Sequence, residues 1–106
     1  ANPWAGEVAL VIGGERHVMR LTLGALAELE AALEQGSLVD LVARFEEGAF
    51  STRDVLALIM AGLRGGGWRG SAADLLRAEI EGGPLAAARA AAELLARAFA
   101  LPEADG

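Results

Sequence analysis

The first regular pattern along the chain is a pair of apolar-rich runs, residues 7–12 and 16–22, flanking Gly13-Gly14. A Gly-Gly pair between β-rich runs predicts a hairpin closed by a primed two-residue turn, whose twist matches that of the strands. In that register Val8, Leu10 and Ile12 share a face with Met19 and His17. Glu7 then stands opposite Arg20 on the other face, beside Ala9, Val11 and Val18. The first strand is therefore apolar on both faces. An isolated hairpin is marginal in water, so this one is expected to pack on helices, to pair its edge with another chain, or to do both.

Beyond residue 22 the period changes to that of helices. Ser-x-x-Asp occurs at Ser37/Asp40, Ser51/Asp54 and Ser71/Asp74, each time before an apolar run. A Ser at the N-cap accepts from the N3 amide, and an Asp three residues on reaches back to the cap amide and complements the helix dipole. Gly36, Gly48, Gly65 and Gly82 supply the matching stops. The first helix is expected over residues 23–35 with Leu26, Leu29 and Leu33 on one face, and the second over 38–46 with Leu38, Leu41, Val42 and Phe45. The third, 52–64, is apolar almost all round between Val55 and Leu63, which makes it the central helix or an exposed interface. The fourth covers 72–81. The fifth opens with Pro84 in its first turn and stops before Pro102, with a stripe of Leu85, Ala88, Ala92, Leu95 and Phe99 and with Arg89, Glu93 and Arg97 in i,i+4 pairs. The predicted class is α+β: an N-terminal two-stranded β-hairpin followed by about five short α-helices, mostly helical. It is read as a single domain over residues 1–106, with loose ends at 1–5 and 103–106.

Composition narrows the function. Apolar residues make up 54% and aromatics 5% of the 106 residues, so the core is built from Leu, Val, Ile and Ala, as close-packed helices require. A formal net charge of −6 repels phosphate backbones and anionic bilayers, so neither nucleic acid nor a membrane surface is an expected partner. The longest apolar run, 55–63, is about half the ~20 residues that a spanning helix needs. The N-terminal stretch has neither the basic region nor the apolar segment of an export signal. Cysteine is absent, which excludes disulfides, thiolate zinc sites and thiol nucleophiles and fits a cytoplasmic location.

Catalytic parts are equally scarce, since there is no Cys, Lys or Tyr and a single His. His17 lies mid-strand without a second His to make a metal pair, and reads as a half-buried strand residue. Glu46/Glu47 and Glu79/Glu81 could pair as acid and base, but they stand at helix ends beside Gly, where carboxylates are solvated. Gly65, Gly67 and Gly70 match Gly-x-Gly-x-x-Gly, yet the motif follows a helix instead of a strand, and without Lys no Walker-type loop is possible. The surrounding Arg64-Gly65-Gly66-Gly67-Trp68-Arg69-Gly70 also has an RGG-like look, which makes a small nucleic-acid-binding domain using Arg64 and Arg69 one alternative. A flexible inter-helix loop anchored by Trp68 is the preferred reading. No enzymatic activity, metal or cofactor is expected. Partner contacts are assigned to apolar surface at Trp4, Val11 and Met60, with Trp68 as a further candidate.

Three stretches carry a family resemblance: Gly6-Glu7-Val8-Ala9-Leu10, Leu21-Thr22-Leu23-Gly24-Ala25-Leu26-Ala27-Glu28-Leu29-Glu30, and Ala61-Gly62-Leu63-Arg64-Gly65-Gly66-Gly67. In that order and spacing they resemble the gene transfer agent tail-protein family of alphaproteobacteria, over residues 6 to about 101. Members of that family are similar to phage tail assembly chaperones and are also labelled tail tube proteins. The resemblance implies a non-enzymatic tail-assembly interaction protein of a gene transfer agent or prophage, binding a tape-measure or tail tube protein. It implies no catalytic residues. The alternative it offers is a structural tail tube or connector subunit, located in the particle and not in the cytoplasm. Tail tubes are usually built from β-sandwich subunits, and two predicted strands favour the chaperone. Homo-oligomerisation through the hairpin edge is a further expectation.

Overall fold

The computed structural model describes residues 7–33 and 36–99. Its elements in chain order are β1 (Glu7–Ile12), β2 (Glu15–Arg20), α1 (Leu23–Ala32), α2 (Leu38–Glu47), α3 (Thr52–Gly65), α4 (Ala72–Arg77) and α5 (Gly83–Phe99). The class is α+β and mostly helical, as the sequence predicts. The ends expected to be loose, 1–5 and 103–106, lie outside the described residues.

β1 and β2 pair antiparallel in the predicted register, with Glu7 opposite Arg20, Val8 opposite Met19 and Leu10 opposite His17. The turn needs positive φ at both central positions, and Gly13 and Gly14 adopt 60° and 83°. Val8, Leu10, Ile12 and Met19 are buried, while Ala9 and Val18 face solvent. The doubly apolar strand thus has one core face and one exposed face.

All three Ser-x-x-Asp segments form complete capping boxes. At Ser51 the Asp54 amide donates to the Ser hydroxyl at 3.1 Å, and the Ser51 amide donates to the Asp54 carboxylate at 3.0 Å. Asp54 is also gripped from α2. Arg44 Nε and Nη2 donate to its two carboxylate oxygens, each at 3.0 Å, in a two-pronged pair that joins α2 to α3. The Arg44 hydrogen bonds hold the Asp54 carboxyl below its usual range. Burial opposes them, and the bonds from Ser51 assist. α1 has a cap the sequence reading missed: Thr22 belongs to the helix start and not to the strand, its hydroxyl accepting from the Ala25 amide at 3.1 Å.

α3 is the central helix, packed against β2, α1, α4 and α5. Leu58, Ile59, Ala61 and Leu63 are buried on it, in one core cluster with β1, Met19, Leu29, Leu41, Leu75, Leu94 and Leu95.

Three helices differ from expectation. α1 ends at Ala32 and not at residue 35, with Leu33 as its extended C-cap. α4 ends at Arg77 and not at residue 81, because the chain beyond it is drawn to the hairpin. Ile80 bridges Ile12, the Gly13 amide donates to the Glu79 carbonyl at 2.7 Å, and the Glu81 amide donates to the Val11 carbonyl at 3.0 Å. Those bonds and the contact of Ile80 with the core replace a further helical turn. α5 is rotated relative to the predicted stripe. Its buried residues are Ala87, Ala90, Ala91, Leu94 and Leu95, whereas Leu85 and Phe99 are 62% and 43% exposed. Alanines let α5 approach α3 and β1 closely, which a face led by Leu85 and Phe99 would prevent.

Candidate functional site

The glycine-rich stretch that ends α3 has the local look of a ligand loop, and the structure gives it a packing role. A Cβ on Gly65 would overlap the Arg20 carbonyl oxygen, and one on Gly66 would overlap that of Val18. Glycine at both positions lets the end of α3 lie directly on the outer edge of β2. Gly62 continues the same contact, since a Cβ there would sit 2.7 Å from Leu94 Cδ1 and 3.1 Å from Met19 Cβ. The helix is then closed by a Schellman arrangement: Trp68 N donates to the Leu63 carbonyl at 2.8 Å, Gly67 N donates to that of Arg64 at 3.0 Å, and Gly67 has φ of 100°. The expected inter-helix loop therefore starts with a hydrogen-bonded helix cap and carries Trp68 as its anchor. Trp68 packs on the core and meets His17 edge to face, with ring centroids 6.4 Å apart at 76°. Of the two arginines considered for nucleic acid, Arg64 lies 3.7 Å from Glu28 on α1, and Arg69 is exposed.

The proposed partner residues do not converge. Trp4 lies outside the described residues. Val11 is half-buried and lines a recess of about 310 Å³ between β1 and α5, with Arg89 and Glu93 across it. Met60, also half-buried, lines a recess of about 460 Å³ between α1 and α3, next to Leu29 and Leu56. Trp68, half-buried, packs against the core of its own chain. The hairpin edges are likewise engaged by the chain itself: residues 79–81 pair with the Ile12 end of β1, and the C-terminus of α3 lies along β2.

One apolar concavity was not singled out from sequence. It is a groove of about 790 Å³ between the first half of α3, α4 and the start of α5. Its lining includes Val55, Leu56 and Ile59 of α3, Leu76 of α4, Ile80, and Pro84 and Leu85 of α5, together with Phe50. Phe50 is itself stacked on Phe45, centroids 4.4 Å apart at 6°. Leu76 and Leu85 are 68% and 62% exposed. The groove exists because α4 stops at Arg77, so that Ile80 turns inward while Leu76 stays at the rim. One sequence signal bears on it: Leu75 and Leu76 are adjacent and so point about 100° apart on a helix, and the structure buries Leu75 and exposes Leu76.

The carboxylate pairs Glu46/Glu47 and Glu79/Glu81 are exposed. Among the described residues, no group of three His, Asp or Glu side chains is placed to hold a metal ion. No helix of these residues is long and apolar enough to cross a membrane.

A family model described as phage tail tube protein, GTA-gp10, matches residues 5–101. No curated protein and no solved structure matches the chain.

Proposed function

The chain belongs to the family described as phage tail tube protein, GTA-gp10, and on that premise we propose that it is a non-enzymatic tail-assembly protein, a chaperone that holds another tail component through apolar surface. The observation that carries this reading is the groove between α3, α4 and α5, where large aliphatic side chains stand in solvent on a chain of 106 residues. A non-enzymatic role is supported by the residue inventory, which offers one His and no Cys, Lys or Tyr from which to build a nucleophile and its base. The tape-measure and tube proteins are the proposed partners, met in the cytoplasm before the particle is complete.

The family description itself favours a second reading, a tube or connector subunit that stays in the particle. Among the described residues the sheet has two strands, and both of its edges meet elements of the same chain. A wall of laterally joined sheets would have to continue from the 7–9 end of β1, since residues 11–13 are already bonded to 79–81. Mass-spectrometric counting of the protein in purified particles and in assembling cells separates the readings. A chaperone co-purifies with a tail protein from cells and is lost from finished particles; a subunit is retained in them in many copies.

A further inference from the structure

We propose that the groove between α3, α4 and α5 receives a single amphipathic α-helix of another tail protein, apolar on the inserted face and flanked by basic residues. This rests on the tail-assembly reading and names its surface and the chemistry of its partner.

The form of the occupant follows from the walls. The segment between α4 and α5 that lines the groove already bonds to its own chain, with the Ala78 amide donating to the Leu75 carbonyl, the Glu79 carbonyl accepting from the Gly13 amide and the Gly83 amide donating to the Ile80 carbonyl, so the groove offers chiefly side chains. A ligand entering it must satisfy its own amides and carbonyls, and a helix does so where an extended strand does not. Val55, Leu56 and Ile59 then provide contacts for the i, i+3, i+4 and i+7 side chains of that helix, together with Leu76 and Leu85.

Its charge follows from the rim. Among the described residues lining the groove, Glu79 is the one with a charged side chain, and the chain as a whole carries −6. A second copy seated here would bring two Glu79 carboxylates into one interface between two acidic chains, an arrangement that charge repulsion opposes. A helix with Arg or Lys at its flanks turns the same field into attraction.

The test uses the full chain and a synthetic helix of roughly 18 residues with Leu at helical spacing and Arg at both ends. One twin carries Glu for Arg, and another carries a central Pro. The Arg-flanked peptide is expected to bind, the Glu twin several-fold more weakly at low salt, and the Pro twin not measurably. Leu76→Asp with Leu85→Asp should weaken binding about tenfold or more without moving the melting transition, because both side chains are exposed. Glu79→Arg should reverse the preference between the Arg and Glu peptides. A photo-cross-linking residue in place of Leu85, used with the purified tail proteins, should label a basic-flanked apolar segment of one of them.

Unchanged peptide binding by the folded double variant overturns the groove, as does equal binding of the Pro twin. A dimer of the parent that the double variant dissolves replaces the helix by a second copy and overturns the occupant. Co-purification of a tail protein that survives in the double variant rejects the groove and leaves the tail-assembly reading standing. If no tail protein co-purifies with the parent, that broader reading fails, whereas the peptide series still decides what the groove binds.

Discussion

Replacing Gly65 by Ala puts a methyl group against main chain, and the same replacement at Gly24 puts one in open space. At Gly65 the new Cβ overlaps the Arg20 carbonyl oxygen and lies 3.1 Å from its carbon and 3.4 Å from Ala25 Cβ. The obstruction is backbone within a paired strand, so it cannot rotate aside, and α3 must lift from β2. Overpacking of this kind costs about 1–3 kcal/mol. Against it stands a gain of up to about 1 kcal/mol from helix propensity and the reduced freedom of the unfolded chain. At Gly24 the nearest atom is Thr22 Oγ1 at 4.0 Å, so only the gain operates. Gly65→Ala is therefore expected to destabilise by about 1–2 kcal/mol and Gly24→Ala to stabilise by about 0.5 kcal/mol. Urea unfolding reads both as opposite shifts in midpoint at constant slope, and thermal melting should show about 4–8 °C per kcal/mol for a domain of this size. A Gly65→Ala protein as stable as its parent refutes the account of this motif as a packing device and restores the possibility that its glycines serve a ligand.

Ser51→Ala removes one half of the box at the start of α3 and should cost about 1 kcal/mol, measured by denaturant midpoint; coincident midpoints contradict the cap. The Asp54 carboxyl is held below its usual range chiefly by Arg44, so its stabilisation is complete above about pH 4 and is lost as pH falls through the lower folded-state value. Asp54→Asn should lower stability at neutral pH by about 2 kcal/mol, since Arg44 is left without its carboxylate, and should flatten the acid limb of the stability curve. An unaltered acid limb argues against the pair. Trp68→Ala should destabilise by about 2 kcal/mol through lost packing and leave partner affinity unchanged when the variant is assayed folded, whereas loss of affinity at unchanged stability makes Trp68 a contact residue.

Local signals were legible, and long-range ones were not. The turn at Gly13-Gly14 sets the strand register from a few neighbouring residues, and each Ser-x-x-Asp box needs only four, so both could be read directly. The end of α4 could not, because it depends on Ile80 finding Ile12, a residue far away in sequence. Nor could the orientation of α5. Leu85, Ala88, Ala92, Leu95 and Phe99 make as regular a stripe as Ala87, Ala90, Ala91 and Leu94, and the long-range seating of Leu94 against Gly62 is what selects the second face. Glycines 65 and 66 show the same limit: sequence marks them as special without revealing that the special object is a neighbouring strand and not a ligand.

That use of the hairpin bears on where a partner can bind. A two-stranded sheet normally exposes two edges, each a template for another chain. Here residues 79–81 pair with one end of the β1 edge, and α3 lies on the β2 edge through residues that only glycine makes possible. The pairing of 79–81 with β1 also ends α4 early and leaves Leu76 at the rim of the groove. One interaction thus covers the turn end of an edge suited to strand addition and opens a surface suited to a helix. Restoring helical continuation through residue 80 would be expected to alter both surfaces together, so the hairpin edge and the groove are not independent candidates for partner binding.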